Sequence, residues 1–291
     1  MTSRQRFDLI LLAALWGGSF MFMRYATPEF GAFALVWLRV AIAAGCLLPL
    51  LLWRGQAHIL WENAVAMILL GVFSTALPFV LIAWAMLSLT SGLASILNAT
   101  TPIFTAIMAA WWLRDRLDRS RMLGLAIGFA GVLLLAADKA EFHVGGSGWA
   151  LVAMLLATLS YGFGANLTRR HLSHVPPLAN AAGSQLVSAV VLLPLAVWWW
   201  PETVPSTGAW LAVLALGIGC TALAFMLFFR LIAQVGAARA ITVTFLIPVF
   251  GIVWGGLFLH ESVTLSMLLG GSVVVLGTAL ATGVLKVFKP R

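Results

Sequence analysis

Residues 70–115 read LGVFSTALPFVLIAWAMLSLTSGLASILNATTPIFTAIMAAWWLRD, and residues 216–261 read LGIGCTALAFMLFFRLIAQVGAARAITVTFLIPVFGIVWGGLFLHE. A constant shift of 146 positions, without a gap, places the first stretch on the second. The shift aligns glycines, prolines and an acidic residue: Gly71 with Gly217, Pro102 with Pro248, and Asp115 with Glu261. Apolar tracts that matched by chance would share leucine and alanine but not these residues. The chain therefore contains an internal duplication.

The composition excludes a soluble protein. Hydrophobic residues make up 62% of the 291 residues, charged residues make up 9%, and the mean hydropathy is +1.05. Apolar runs follow one another with short polar breaks, and a run of about 20 residues is long enough to cross roughly 30 Å of hydrocarbon. Residues 65–86 are apolar on every face, whereas the strands of a transmembrane barrel alternate apolar and polar side chains. We therefore predict an all-α polytopic membrane protein.

Breaks at charge clusters, prolines and glycines divide the sequence into ten predicted transmembrane helices. Their ranges are 7–25, 32–53, 63–86, 92–113, 121–138, 147–168, 178–200, 208–230, 238–259 and 264–286. Only short connections remain between them, so the helices themselves must carry the function. The duplication predicts two repeats of five helices, at residues 1–140 and 141–291.

The distribution of lysine and arginine predicts the orientation. With a cytoplasmic amino terminus, 14 of the 17 basic residues lie on the cytoplasmic side, so the positive-inside rule places both termini in the cytoplasm. Each repeat has an odd number of helices, so the second repeat enters the membrane upside down. Accordingly, residues 114–121 after the fourth helix carry four arginines, whereas the counterpart His260-Glu261-Ser262 has no lysine or arginine. In secondary transporters, inverted repeats of this kind bind substrate near the bilayer midplane.

The sequence offers little for catalysis, metal binding or nucleic-acid binding. Each of the five histidines and nine acidic residues falls in a loop or at a predicted helix end, so we expect no metal site and no catalytic residues at membrane depth. Cys46 and Cys220 lie inside apolar runs, which indicates neither a disulfide nor a thiolate site. We attribute the net charge of +8 to topology signals rather than to a nucleic-acid partner. We also expect no cofactor.

Arg39 is the exception, because it lies about seven residues inside the second predicted helix, where a charge usually faces a bundle interior or an aqueous cavity. Two interpretations stay open. The side chain could snorkel toward the outer headgroups, or it could guard the outer vestibule and hold a substrate carboxylate. In the second and seventh helices the shift is 145 positions, as for Pro49 and Pro194, so Arg39 pairs with Ser184 and the charge has no counterpart in the second repeat.

Glycine-containing segments lie at similar depths in the first and sixth helices: Trp16-Gly17-Gly18-Ser19 and Tyr161-Gly162-Phe163-Gly164. Glycine weakens a helix and exposes its backbone, and interrupted helices at matching places in two repeats indicate a transport site. The alternative is that these glycines only permit close helix packing.

Prolines lie in the fourth and ninth helices. Asn98 and Thr101 cluster just before Pro102, which leaves the Asn98 carbonyl without its usual backbone donor. Thr244 and Pro248 echo this arrangement. The prolines could expose backbone to a substrate or serve only as kinks. The predicted hinge residues are Gly17, Gly18, Pro102, Gly162, Gly164 and Pro248.

These features together resemble the EamA-type repeat of the drug/metabolite transporter superfamily: ten helices, inverted repeats, the Trp16-Gly17 segment, the mid-helix prolines, and the acidic residues Asp115 and Glu261. In size and layout the chain is similar to YddG-like amino-acid and metabolite exporters of bacterial inner membranes. The resemblance implies that helices 1, 3, 4, 6, 8 and 9 surround a central cavity, while helices 5 and 10 act as scaffold. The substrate-binding positions that the resemblance implies are Trp16, Ser19, Phe79, Asn98, Thr101, Tyr161, Phe163 and Thr244. To these we add Arg39, because of its charge at membrane depth.

We therefore expect an exporter of small neutral or zwitterionic metabolites, amino acids first among them, in the bacterial cytoplasmic (inner) membrane. It would act as a monomer in the lipid bilayer, by alternating access between the repeats. Without a carboxylate at membrane depth, we expect facilitated diffusion or weak ion coupling. The alternatives are an exporter of drugs or quaternary ammonium cations, which aromatic side chains bind well, a membrane enzyme acting on lipid-linked substrates, and a scaffold or receptor without transport.

Overall fold

The computed structural model describes residues 1–137, 147–285 and 287, and all regular structure in this part of the chain is helical. The first helix, Ser3–Trp53, bends at Gly31, so we label its arms α1 (residues 3–30) and α2 (residues 32–53). The other spans are α3 (Ala64–Ala85), α4 (Ser91–Trp112), α5 (Arg119–Ala137), α6 (Ser147–His171), α7 (Pro177–Trp198), α8 (Thr207–Val235), α9 (Val243–Leu259) and α10 (Leu265–Ala281). Short helices at His58–Glu62 and Ala237–Ala240 precede α3 and α9.

The prediction of ten transmembrane helices is confirmed. Among the described residues, seven helices are long and apolar enough to cross a membrane, one of which contains both α1 and α2, and α9 and α10 are shorter apolar helices. The predicted gap between the first two helices is instead helical up to Gly31, which has φ +71°. Glycine adopts this left-handed conformation without steric cost. A single residue therefore joins α1 to α2.

α3 and α8 are both widened at the same point of the repeat. α3 contains a π-helical segment at Val72–Ala76, and α8 contains one at Ala215–Leu223. Thr75 and Thr221, which the repeat aligns, lie inside these segments. Single-turn π segments inside α-helices are frequent at functional sites. The sequence analysis did not predict them.

The two halves of the chain pack in the same way. A β-carbon added at Gly17 of α1 would lie 2.6 Å from Phe250 Cβ of α9, and one added at Gly162 of α6 would lie 2.9 Å from the carbonyl carbon of Phe104 in α4. The repeat aligns Phe104 with Phe250. α1 therefore meets α9 as α6 meets α4.

The contacts of α2 and α7 are also equivalent in the two repeats, because α2 packs on α8 as α7 packs on α3. A β-carbon added at Gly217 of α8 would lie 3.2 Å from the Arg39 carbonyl oxygen, and one added at Gly71 of α3 would lie 3.1 Å from the Ser184 carbonyl oxygen. Ser184 thus occupies the place of Arg39, as the register predicts. The fold consists of two inverted five-helix repeats. The predicted boundary at residue 140 lies outside the described residues, so its position stays a prediction.

α5 and α10 pack closely through glycines. A β-carbon added at Gly131 would lie 2.8 Å from the backbone nitrogen of Val274, and one added at Gly270 would lie 2.6 Å from Leu135 Cγ. Small residues let membrane helices approach until their backbones are in van der Waals contact. This pair therefore forms one tightly packed unit.

α4 is interrupted in its middle. The helix ends at Asn98, turns through Ala99 and Thr100, and starts again at Thr101. Its first half, Ser91–Asn98, packs on α9, and its second half, Thr101–Trp112, packs on α6. The two halves of α4 therefore contact different parts of the bundle.

Candidate functional site

Arg39 of α2 lies inside the bundle, where the residue is 5% exposed. Its Nε donates a hydrogen bond to Thr221 Oγ1 of α8 at 2.9 Å, and its Nη1 lies 3.2 Å from Met23 Sδ of α1. The guanidinium carbon lies 3.9 Å from the centroid of the Phe79 ring of α3. A cation over an aromatic face gains about 0.5–2 kcal/mol, more when it is desolvated.

Tyr161 of α6 completes this group, because its ring centroid lies 6.4 Å from that of Phe79. We define the Arg39 cluster as Arg39, Met23, Phe79, Thr221 and Tyr161. Three members come from the first repeat, and Thr221 and Tyr161 come from the second. The cluster therefore joins the two repeats, at the kind of interface where inverted-repeat transporters bind substrate.

The structure contradicts the snorkelling interpretation of Arg39. A snorkelling side chain keeps its charged head in water. The Arg39 guanidinium instead contacts the ring of Phe79 and the hydroxyl of Thr221, which lie on two other helices. The charge is therefore held inside the protein.

Arg39 also lacks a counter-ion in the part of the chain that the structure describes. There, no carboxylate oxygen lies within 4.0 Å of its guanidinium nitrogens. The ion pairs among the described residues lie elsewhere, and they join Arg121 to Asp118, Arg169 to Asp115, and Arg230 to Asp8. A buried charge without a partner is strongly unfavourable, so such residues in membrane proteins usually serve a function.

The π segment of α8 orients Thr221. The Thr221 hydroxyl donates to the Leu216 carbonyl oxygen at 2.7 Å and accepts the hydrogen bond from Arg39 Nε. A hydroxyl has one donor and two acceptor positions, so both bonds form together. The aligned residue Thr75 is also buried, and it lies in a π segment that packs on α7, where Ser184 replaces the arginine. Only one repeat therefore carries the charge.

Trp16 and Ser19 lie on α1, beside the second repeat. The Trp16 ring packs on Phe228 at 5.1 Å and on Phe225 at 6.4 Å, and both rings belong to α8. Ser19 is buried, and its hydroxyl donates to the Trp16 carbonyl oxygen at 2.6 Å. The structure thus places Trp16 in an aromatic group of α1 and α8, while the Ser19 hydroxyl is used within its own helix.

The glycine segments are continuous helix in this structure. α1 passes through Gly17 and Gly18, and α6 passes through Gly162 and Gly164, without a break. Gly17 and Gly162 pack against neighbouring helices, and a β-carbon at Gly164 would collide with Ser74 of α3. The packing interpretation therefore accounts for three of the four glycines. Their action as hinges stays a prediction.

The break in α4 satisfies the carbonyl that Pro102 frees. Thr101 Oγ1 donates to the Asn98 carbonyl oxygen at 2.8 Å, which replaces the missing backbone donor. The side chain of Asn98 remains available, because its Oδ1 is buried without a hydrogen-bond partner among the described residues. Leaving a buried amide oxygen without a hydrogen bond is costly, so a donor group of a substrate would bind favourably here.

The described contacts of Phe163 and Thr244 are with residues outside the Arg39 cluster. Phe163 stacks on Trp112 with ring centroids 5.1 Å apart, and it belongs to a different hydrophobic cluster from Phe79. Thr244 lies at the start of α9 and donates to the Ile241 carbonyl oxygen at 2.8 Å. Pro248 is buried within α9. Of the predicted substrate-binding residues, the structure brings Arg39, Phe79 and Tyr161 into direct contact.

The prediction that every acidic residue falls in a loop or at a helix end was wrong for Asp8. Asp8 lies within α1, because the helix already begins at Ser3 after the N-cap Thr2. The Asp8 residue is 5% exposed, and its Oδ2 lies 3.5 Å from Arg230 Nε of α8. The other carboxylates in the described residues lie outside the helix interiors or near helix ends, and these residues contain no group of three or more potential metal ligands.

The sequence matches the model of the EamA-like transporter family twice, over residues 8–137 and 148–283. The chain belongs to the EamA-like transporter family. Each match covers about half of the chain. This EamA-like protein is therefore a multi-pass membrane transporter.

Individual relatives of this EamA-like chain match over nearly its whole length. An uncharacterized transporter of Archaeoglobus fulgidus is 26% identical and covers 92% of this chain and 95% of its own. A probable terminal-alkyne amino-acid exporter of Streptantibioticus cattleyicolor is 25% identical and covers 96% of this chain and 93% of its own. A crystal structure at 21% identity has a TM-score of 0.68 and covers 98% of both chains, which supports the fold.

The sequence analysis missed two residues of the Arg39 cluster in this EamA-like protein. Met23 gave no signal, because methionine is common in apolar helices. Thr221 did give one, since the repeat preserves Thr75-Ala76-Leu77 as Thr221-Ala222-Leu223. A hydroxyl kept in both copies of a duplicated helix could have been assigned to the site from the alignment alone.

Proposed function

We propose that this protein exports small metabolites, amino acids first among them, across the cytoplasmic membrane. The observation that carries the proposal is the position of Arg39, a buried cation held by residues of both repeats. A charged group at such an interface marks a substrate pathway in membrane proteins. The name of one relative, a probable terminal-alkyne amino-acid exporter, supports amino acids as the substrate class.

The substrate would contact both repeats at once. Arg39 and Tyr161 would face its polar end, and Phe79 would cover its apolar part. Asn98 Oδ1, which lacks a partner in the described residues, offers a further acceptor. Transport would follow from rocking of the repeats against each other, with both termini in the cytoplasm and the protein working as a monomer by facilitated diffusion or weak ion coupling.

The charge of Arg39 argues against the alternative of a quaternary-ammonium exporter. Aromatic rings attract cations, but the guanidinium already occupies one face of Phe79. A cationic drug entering the cluster would meet a like charge at low dielectric. Neutral, zwitterionic or anionic molecules avoid this repulsion.

The proposal is tested with the purified full chain in proteoliposomes. Uptake of a panel of radiolabelled amino acids is measured for wild type, Trp16→Ala and Asn98→Ala, beside empty vesicles. We expect wild-type uptake of some members above the empty vesicles, reduced uptake by both variants, and no requirement for a pH gradient. No uptake of any amino acid by folded wild-type protein would contradict the proposal, and uptake that stops when the pH gradient is collapsed would contradict facilitated diffusion.

A further inference from the structure

We infer that Arg39, oriented by Thr221, forms a binding site for a carboxylate group of the transported molecule. The site would select carboxylic acids and zwitterions over the matching amides and amines. This inference rests on the proposed transport function and adds to it the chemical group that the substrate must carry.

The first step concerns charge. The Arg39 guanidinium is buried, and the described residues place no carboxylate within 4.0 Å of it. The Phe79 ring and Met23 Sδ compensate a full positive charge only weakly. A substrate anion would supply the missing counter-charge inside the protein, where charge-assisted hydrogen bonds are strongest.

The second step concerns hydrogen-bond donors. A guanidinium has five N–H groups in a rigid plane. Among the described residues, Thr221 and Met23 use one N–H of Nε and one of Nη1. The remaining donors lie on Nη1 and Nη2, and these two nitrogens form the fork that binds a carboxylate through two parallel hydrogen bonds. An amide or amine cannot accept this pair of bonds.

The third step concerns orientation. Thr221 accepts from Nε, and its own proton is donated to Leu216 within the π segment. These two hydrogen bonds restrict the orientation of the guanidinium plane. Thr221 is therefore a positioning residue, which acts on the substrate through Arg39.

The fourth step uses the duplication. Thr75 occupies the place of Thr221 in the first repeat, and Ser184 occupies the place of Arg39 in the second. The mirror-related position has the threonine without the cation. Of these two related positions, therefore, only the one at Arg39 carries the cation, and Thr75 provides a matched control for Thr221.

The experiment compares four molecules of similar shape: leucine, leucinamide, 4-methylpentanoate and 3-methylbutylamine. A second set replaces the isobutyl group with benzyl: phenylalanine, phenylalaninamide, 3-phenylpropanoate and phenethylamine. Binding to the purified full chain is measured as the rise in Tm with ligand concentration. Transport is measured separately, as counterflow of radiolabelled leucine or phenylalanine in proteoliposomes.

In at least one set, we expect both carboxylate-bearing molecules to bind at least about tenfold more tightly than the amide and the amine. Hydrogen bonds to charged groups exceed about 1.4 kcal/mol, and this free energy corresponds to a tenfold difference in affinity.

Arg39→Gln would abolish this preference for carboxylates. Arg39→Lys would keep part of it, because lysine is a point charge without the fork. Thr221→Val would weaken carboxylate binding, Thr221→Ser would restore it, and Thr75→Val would leave it unchanged.

The outcomes separate the inference from the proposed function. Equal binding of acid and amide, or no binding of any carboxylate, overturns the inference, whether or not transport occurs. Chloride that raises Tm as much as the carboxylates at equal concentration also overturns it, since the site would then take small inorganic anions. Binding of carboxylates without counterflow supports the site and contradicts transport. The ligand series on wild-type protein decides the question even where a variant fails to fold.

Discussion

The Glu261 carboxylate accepts the backbone N–H of Ser91 at 2.9 and 3.0 Å and the Ser91 hydroxyl at 3.2 Å. Ser91 begins α4 in the first repeat, and Glu261 follows α9 in the second. The carboxylate satisfies an N–H group that the start of the helix leaves without a backbone partner. One acidic side chain thus ties the two repeats together at this end of the bundle.

The first prediction is that Glu261→Gln weakens the contact between the start of α4 and the end of α9. A hydrogen bond to a charged group contributes about 1.5–3 kcal/mol, so the population in which these two helix ends are separated should rise at least about tenfold. Ser95 is buried where α4 meets α9, and a cysteine at this position reports on their separation. In a Cys46→Ser background, the Ser95→Cys protein should react faster with an impermeant maleimide when Glu261 is replaced by glutamine. Glu62→Gln, at an exposed residue, serves as control. Unchanged labelling would show that Glu261 does not hold the repeats together.

The second prediction concerns the aligned residue Asp115. Its backbone N–H bonds to Ala109 as that of Glu261 bonds to Gly255, yet its carboxylate pairs with Arg169. The hydrogen bond from Arg169 holds the pKa of Asp115 below its ordinary value of 3.8. A lowered folded-state pKa stabilises the fold above pH 3.8, and this contribution is lost as the pH falls through the lowered value.

Asp115→Asn should therefore lower Tm slightly at neutral pH, and the difference from wild type should disappear in acid. The effect should also shrink at high salt, because the pair is at the surface. Asp118→Asn is the control, since Asp118 Oδ2 lies 3.8 Å from Arg121 Nε, while its Oδ1 accepts the Arg121 backbone N–H, a bond that asparagine can keep. A difference in Tm that is the same at pH 3 and pH 7 would exclude this ion pair as its source.

The third prediction uses two adjacent glycines. Gly17→Ala should destabilise the protein by about 1–3 kcal/mol, because the new methyl group would lie 2.6 Å from Phe250 Cβ and 2.9 Å from the Ile247 carbonyl oxygen. Gly18→Ala should be tolerated, since its nearest neighbour, Trp254 Cδ1, is 3.5 Å away. The Tm of both variants in detergent checks this. Equal losses would mean that flexibility, rather than packing, explains these glycines.

The fourth prediction concerns the pair of α5 and α10. Gly131→Ala would place a methyl group 2.8 Å from Val274 N, a backbone atom that cannot rotate away. We expect a large fall in Tm, because the two helices must separate. Gly45→Ala, where nothing lies within 4 Å, should keep or raise Tm. A Gly131→Ala protein as stable as wild type would show that close contact between α5 and α10 is dispensable.

The sequence predicted the spans because hydrocarbon thickness fixes their length, and it predicted the repeat because prolines and glycines are rare enough to align. It predicted Arg39 as a site residue because charge at membrane depth is rare. It could not choose between snorkelling and burial, since that depends on Phe79 and Thr221, which approach Arg39 only in the folded bundle.

The sequence does not show that α3 and α8 contain π segments, or that the Thr101 hydroxyl bonds to the backbone of its own helix. π segments are rare and occur mostly as single turns inside α-helices, so the apolar pattern of α3 and α8 does not reveal them. Thr101 was predicted to bind substrate, but its hydroxyl bonds the carbonyl that Pro102 frees. Local satisfaction of backbone groups competes with ligand binding, and sequence alone does not show which of the two a hydroxyl serves.

The corner at Gly31 limits how this carrier can move. A single residue joins α1 to α2, so Met23 and Arg39 lie on directly connected helices of the same repeat. The hydrogen bond from Arg39 to Thr221 crosses to the other repeat. If the repeats rock against each other as proposed, this hydrogen bond would have to lengthen or break, whereas the contact between Arg39 and Met23 would persist.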